Sequence, residues 1–303
     1  MIDAHHHLWD PRAREYSWLG GAQPWASDEE LARLRRPFTC FDLSGVAAGA
    51  GVSATVVIQT VNDLWETHDL LALAAGIDPY GGLNSTGRPF ASTLLAGVVG
   101  WVDLTARDVR ETIAQLRSRP GGPYLRGIRH PLVSESDPGW LTRPEVLNGL
   151  QVLATTGLAF DVVALPYQLG SVVTAAQSVP ELSFVLDHMG GPPVEGEQAD
   201  DDVWSSAIRR LGALSNVTCK LSGVHSSSAR ATTLRPYYDV VLEAFGPMRL
   251  MYGSDWPVSS LTATYGEVRV MYRELTTSLT TAEQDAVFDH TARQVYGLTE
   301  PSA

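Results

Sequence analysis

The chain is poor in cysteine. Cys40 and Cys219 are its only two, and they form neither a CxxC pair nor a cysteine-rich zinc pattern. Two free structural thiols in a reducing compartment are the simpler expectation, and one disulfide is the alternative. No stretch approaches eighteen uninterrupted apolar residues, so no membrane span is expected. The opening MIDAHHHLWD has no basic segment leading into an apolar one, so no secretory leader is expected and a cytoplasmic location is. Positive charge is also scarce, with 22 Lys and Arg against 34 Asp and Glu and a net charge of -12. Neither nucleic acid nor an anionic membrane surface suits such a chain. No GxGxxG follows the first apolar run and no GxxxxGK[ST] occurs, which removes the usual dinucleotide and P-loop sites. Ser222 lies outside any GxSxG setting and is not read as a nucleophile.

The sequence has ample material for a core. Hydrophobic residues make up 44% of 303 and charged residues 18%, which rules out wholesale disorder. Eight short apolar runs recur, at 2–7, 54–59, 94–102, 125–130, 158–163, 182–187, 217–221 and 250–253. Apolar residues at consecutive positions mark strands covered on both faces. Helical patterns lie between them, at 65–75, 106–117, 145–156, 167–178, 203–211, 237–245, 265–275 and 282–296, with a short early one at 28–34. Capping signals are expected from Ser27 with Glu30, Thr105 with Asp108, Thr142 ahead of Pro144, and Thr281 with Gln284. The acidic, Pro/Gly-rich 190–202 stretch reads as a loop. The segment 12–36, carrying Trp18 and Trp25, reads as an excursion over one end of the fold. This alternation fits a closed (β/α)8 barrel, with an open doubly wound sheet as the runner-up.

Polar residues at the ends of these runs are the site candidates. His5 and His7 are two apart on a strand, so both point to one face and His6 to the other. Two such imidazoles can share a divalent metal or bracket a polar ligand without one, and hydrogen-bonded core histidines are the competing reading. Asp10 lies close by. Asp255 closes the eighth run, and Pro257 prevents a central strand from continuing. A carboxylate there can take a proton from water or bind a metal, or merely cap a turn. If the barrel closes, the eighth strand lies beside the first, bringing Asp255 to His5 and His7 across 250 residues of sequence. His188 ends the sixth run as a further ligand or hydrogen-bond donor, with Asp187 as its orienting group or as a turn cap. Arg129 and His130 end the fourth run. Arg129 suits a carboxylate clamp or a rim salt bridge, and Arg126 a supporting role. Gln59 is a candidate donor to substrate. Asp161, Lys220 and His225 are weaker candidates. Trp9, Trp18 and Trp256 either line a pocket or fill loop contacts. His68 and His290 read as structural or exposed.

Six pieces, taken together and in order, resemble the amidohydrolase-related family in its sugar-lactonase branch of L-fuconolactonase-like and L-rhamnonolactonase-like enzymes. They are MIDAHHHLWDP at 1–11, YSWL at 16–19, GIRH at 127–130, DHMG at 187–190, KLSG at 220–223 and GSDWPV at 253–258. The resemblance implies one α/β domain over 1–303, a distorted (β/α)8 TIM barrel of the amidohydrolase type. It implies hydrolysis of a cyclic ester, a sugar-acid or carboxylated lactone, by activated water. His5, His7, His188 and Asp255 would form the core of the site, and would also hold the metal if one is bound. Arg129, His130, Gln59, Trp9 and Trp256 would bind substrate. One divalent ion, zinc favoured, is implied, although some lactonases of the group use none. The family's lysine after DHxG is Gly191 here, with Pro192 retained, so one positive group is missing near the mouth. A small lactone is the expected partner, without nucleic acid or membrane, and a homo-oligomer stays open. Two alternatives remain at this level: a metal-dependent decarboxylase or C–C hydrolase on a carboxylated substrate, and a non-catalytic barrel that binds a small ligand.

Overall fold

The computed structural model describes residues 1–23, 26–79, 94–194, 198–223 and 230–299. All eight expected strands are present: β1 (Ile2–His6), β2 (Ala54–Ile58), β3 (Leu95–Gly100), β4 (Leu125–Pro131), β5 (Ala159–Val163), β6 (Phe184–Leu186), β7 (Val217–Leu221) and β8 (Leu250–Tyr252). They pair in parallel in chain order, which is the barrel and not the open sheet with reordered strands. The seam between β8 and β1 closes without a full ladder. His7 N–H donates to Trp256 O and Asp255 N–H to His5 O, both at 2.7 Å. The backbones come this close because residue 253 is glycine: a Cβ there would stand 2.5 Å from that of His5.

β1 carries one extra residue against β2. Asp3 pairs with Thr55 but His6 with Val57, a bulge. Ala4 therefore packs with Val56, Val185 and Met251 inside the barrel, while His5 next to it also faces inward, onto Lys220. His6 turns outward, with Nε2 at 3.0 Å from Thr55 Oγ1.

Helices follow the strands: α1 (Asp28–Ala32), α2 (Cys40–Ala48), α3 (Leu64–Ala74), α4 (Val109–Ser118), α5 (Pro144–Ala154), α6 (Leu169–Ser178), α7 (Gln198–Gly212), α8 (Ala231–Phe245), α9 (Tyr265–Leu275), α10 (Thr281–Asp285) and α11 (Thr291–Tyr296). Ser27 and Glu30 make the expected capping box. Three other expectations need correction. Thr105 bonds Asp103 rather than capping α4, Thr142 bonds Gly139 O while Arg143 precedes Pro144, and the late capping box is Thr280 with Glu283, one residue earlier. The expected helix over 282–296 is interrupted by a π segment, Ala286–His290. The supposed 190–202 loop is helical from Gln198 onward; residues 195–197 lie outside the described residues. α2 was not anticipated. Its run of small residues carries little amphipathic contrast, and the legible signal was the Thr39–Asp42 capping box.

Tyr296 and Leu298, from the last helix and just beyond it, pack with the barrel-interior residues Ile2, Val99 and Val185. In the segment after β1, Trp9 packs against Tyr16, Trp18 and Phe38. Arg33 donates to Ser260 O and Leu261 O, tying this segment to the stretch after β8. Trp25 lies outside the described residues. Among the described residues, no helix is long and apolar enough to cross a membrane.

Candidate active site

Strand closure assembles the centre of the site from three chain-distant residues. His7 Nδ1 lies 2.8 Å from the carbonyl oxygen of Ile58, which can only accept, so the His7 proton sits on Nδ1 and its Nε2 lone pair faces the barrel mouth. His5 Nε2 is 3.2 Å from that nitrogen. Asp255 Oδ1 is 3.4 Å from His5 Nε2 and 3.2 Å from His7 Nε2. All three residues are buried.

Asp255 is held in this position by its turn. Its φ of 54° is left-handed, a conformation that costs a non-glycine residue roughly 1–3 kcal/mol and persists only where surroundings enforce it. Asp3 enforces it. Oδ1 accepts from Ser254 N–H at 2.8 Å and His5 N–H at 3.2 Å, while Oδ2 accepts from Ser254 Oγ at 2.6 Å and Tyr265 Oη at 2.8 Å.

His188 approaches from the turn after β6 with its ring centroid 4.5 Å from that of His5. It too is left-handed, at φ 56°. Its Nδ1 lies 2.9 Å from Ser222 Oγ. Gly223 makes room for the ring, since a Cβ there would fall 1.9 Å from His188 Nδ1.

Beneath these groups lies a layer of buried charge. Asp187 Oδ1 is 3.3 Å from His5 Nδ1 and 3.1 Å from Lys220 Nζ, and Asp187 Oδ2 is 2.9 Å from Arg129 Nε. Lys220 Nζ also contacts Asp161 Oδ2 at 2.5 Å, and Tyr296 Oη donates to the same oxygen at 2.6 Å. Burial acts to raise the Asp187 pKa, but the charges of Lys220 and Arg129 outweigh it and hold the carboxyl well below the usual range. Burial pushes Asp161 up to about 6 despite Lys220. Burial likewise holds His5 well below its ordinary value, so its imidazole is neutral at pH 7.

The donor set fits a divalent metal. Zinc bonds of ~2.0–2.1 Å place tetrahedral ligand atoms about 3.3 Å apart, which is the spacing of the His5, His7 and Asp255 triangle. Each imidazole also has an acceptor within reach of its other nitrogen, Ile58 O for His7 and Asp187 for His5, as metal-ligating histidines ordinarily do. His5, Asp187 and His188 form a second, overlapping group.

The remaining candidates are distributed unevenly. Arg129 points inward, but its Nε faces Asp187 and its Nη1 donates to Gln59 O at 3.0 Å, so much of its fork is committed to the protein. His130, the next residue on the strand, takes the opposite face, as alternation requires. Its Nε2 meets Glu135 at 2.9 Å and its ring stacks on Trp140 at 3.8 Å, so the structure does not bring it to the triangle. Gln59 is buried and its Oε1 has no hydrogen-bond partner among the described residues. Trp9 is locked in the apolar cluster, with Nε1 donating to Leu34 O, and Trp256 packs on Phe38. Asp10 binds Arg12 and does not join the histidines. Asp187 orients His5 rather than His188. His68 packs against Trp65 with the rings tilted, His290 is exposed, and His225 lies outside the described residues. Sequence reasoning missed the Asp3 clamp, and it named Asp161, Lys220 and Asp187 only singly and not as one charged layer. Its visible signal was charged residues inside otherwise apolar strand runs, AFDVV and VTCKL.

Known proteins share this architecture along the whole chain. The profile of a family described as Amidohydrolase matches residues 2–298. An L-fucono-1,5-lactonase of Burkholderia multivorans is 33% identical over 99% of this chain and 97% of its own length. A second L-fucono-1,5-lactonase, from Burkholderia ambifaria, is 32% identical over 88% of this chain and 83% of the relative. A crystal structure of an amidohydrolase from Burkholderia multivorans with bound zinc superposes with a TM-score of 0.84 at 32% identity, covering 98% of this chain and 99% of that one.

Proposed function

Because the chain belongs to the amidohydrolase family, we propose that its geometry performs the hydrolysis of a lactone, a cyclic ester of a sugar acid or similar carboxylated compound, assisted by one divalent metal, zinc favoured. One observation carries the reading: the triangle of His5 Nε2, His7 Nε2 and Asp255 Oδ1, with sides of 3.2–3.4 Å at the carboxyl end of the barrel. It is supported by similarity to two lactonases, over 99% and 88% of this chain, and by a similar fold solved with zinc.

His5, His7 and Asp255 would hold the ion, with His188 beside them. The ion, when bound, supplies Lewis acidity to the lactone carbonyl and lowers the pKa of water. Asp255 takes the proton from the attacking water and returns it to the alkoxide that leaves when the ring opens. His188, oriented by Ser222, stabilises the developing oxyanion. Water attack opens the ring by addition and collapse, so no serine or cysteine nucleophile is needed. Ser222 acts on His188, and both cysteines are buried. The inner charges, Arg129, Lys220, Asp161 and Asp187, fix the histidines more than they touch substrate. Arg129, committed to Asp187 through Nε and to Gln59 O through Nη1, would meet a substrate carboxylate or hydroxyl through what remains of its fork, with Gln59 behind it. The described residues of the 12–36 segment, tied through Arg33 to Ser260 and Leu261, would cover one side of the mouth as part of the same single domain.

The test is a panel of sugar-acid lactones, followed by acid release in weakly buffered solution, on protein stripped with chelator and on protein given zinc. Turnover of at least one lactone that is lost on stripping and restored by zinc is expected. Release of carbon dioxide from a carboxylated non-lactone, without lactone hydrolysis, would replace this reading.

A further inference from the structure

Lys220 is the only lysine in the chain; all other fixed positive side chains are arginine. It is fully buried on β7, where an ammonium is expensive to place unless its charge and its protons are all used. Its Nζ has three neighbours: Asp161 Oδ2 at 2.5 Å, Asp187 Oδ1 at 3.1 Å and His5 Nδ1 at 3.1 Å. An ammonium has three protons and no lone pair, so it can only donate to each of them.

The contact with His5 has a definite consequence. If Nδ1 accepts from Lys220, the single proton of the neutral imidazole sits on Nε2. Nε2 then donates into the triangle, toward His7 Nε2 at 3.2 Å and Asp255 Oδ1 at 3.4 Å. Both atoms are acceptors, because the His7 proton is already given to Ile58 O. In this arrangement the Lys220 ammonium meets an acceptor at His5 Nδ1 and the His5 ring proton meets one at His7 Nε2, with no cation between the rings. A metal in the triangle requires the opposite arrangement. It needs the Nε2 lone pair of His5, so the ring proton must stand on Nδ1. Asp187 Oδ1, 3.3 Å away, is the acceptor that such a proton would use, and Lys220 would turn to its two carboxylates. The ring keeps its one proton throughout, and only the nitrogen that carries it changes.

We infer that Lys220 is a positioning residue that sets the tautomer of His5: it holds the form with the proton on Nε2 and so opposes capture of a divalent cation by the triangle, whereas Asp187 supports the cation-binding form. The inference rests on the proposed reading that His5, His7 and Asp255 hold the metal. It gives zinc occupancy an internal competitor, and it explains the choice of lysine: an arginine fork has no single compact donor able to serve two carboxylates and a ring nitrogen at once.

The experiment uses full-length protein labelled with ¹⁵N-histidine, with the His5 ring signals identified by their loss in His5→Gln. In metal-stripped protein the nitrogen shifts should show His5 protonated on Nε2, and zinc should convert it to the Nδ1-protonated form. A His5 protonated on Nδ1 before zinc is added overturns the inference, and no substitution of Lys220 is needed to see it. Zinc affinity by chelator competition then supplies the second arm. Lys220→Met should tighten zinc on the order of tenfold or more, the scale on which partners of metal-bound histidines act. Unchanged or weaker binding in a folded Lys220→Met protein counts against the role. His7→Ala separates the two readings: if it binds zinc as tightly as wild type, the ligand assignment fails, while the tautomer measured in metal-stripped protein still decides the inference about Lys220.

Discussion

Asp3 reaches across the barrel seam to Ser254, accepting from its backbone N–H at 2.8 Å and from its hydroxyl at 2.6 Å. The same carboxylate accepts from His5 N–H and Tyr265 Oη, so one buried side chain ties the first strand to the turn that presents Asp255. Asp3→Asn replaces one acceptor oxygen by an amide nitrogen that can only donate, facing groups that also donate. A loss of about 1–3 kcal/mol in denaturant unfolding is expected, the cost of a buried donor without an acceptor. A stability unchanged within error would mean that the seam is held by the backbone alone.

Asp255 carries the proton transfers in the proposed reaction. Asp255→Asn should lower kcat by roughly 10²–10⁴-fold, the usual weight of a general acid–base group, with circular dichroism and Tm close to wild type. Near-native turnover on the true lactone would remove Asp255 from that role.

Gly223 is needed because of what it faces. A methyl group there would fall 1.9 Å from His188 Nδ1, on a backbone of φ +67° that alanine resists. Gly223→Ala should displace the His188 ring and lower kcat by about 10²-fold, the penalty of an ångström-scale misplacement. The drop should exceed any change in KM. Steady-state kinetics well below the Tm checks this, and a kcat within twofold of wild type would show that His188 does not act on the oxyanion.

Stability should also depend on pH through a carboxyl remote from the His5, His7 and Asp255 triangle. Glu66 is fully buried in α3, where it accepts from Thr60 N–H and Val61 N–H, and burial raises it from 4.5 to about 7. A folded-state pKa above the unfolded value means that the native protein binds the proton more tightly. The resulting stability is complete below pH 4.5 and is lost as pH rises through 7, on the order of 3 kcal/mol in all. Wild type should therefore lose stability relative to Glu66→Gln between pH 5 and pH 8. A difference between the two proteins that is flat over this range would contradict the shift.

Much of this site was legible in the sequence for a simple reason. Apolar runs that end in His5, His7, His188 and Asp255 mark strand ends, and ring closure makes the first and last strands neighbours. What stayed hidden depends on atoms that sequence spacing does not fix. The bulge in β1 lets Ala4 and His5 share the inner face, which strict alternation forbids. Adjacent strand residues face opposite ways, so Arg129 points inward to Asp187 while His130 stacks on Trp140, a split that the GIRH run does not announce. Asp187 reads in the sequence as an orienting group for His188 or as a turn cap, but the fold places it 3.3 Å from His5 Nδ1. The Lys220–His5 contact joins residues 215 apart, and no local pattern announces it.

In the proposed reaction His5, His7 and Asp255 act as one metal-assisted hydrolytic centre. Zinc content per chain, measured by elemental analysis on untagged wild type, His7→Ala and Asp255→Asn alongside lactone hydrolysis of the same samples, tests it most directly. The expected result is at most one zinc per wild-type chain, weaker retention in both variants, and hydrolysis that follows the metal. Two stoichiometric metals per chain, or full lactone hydrolysis at background metal in all samples, would contradict it.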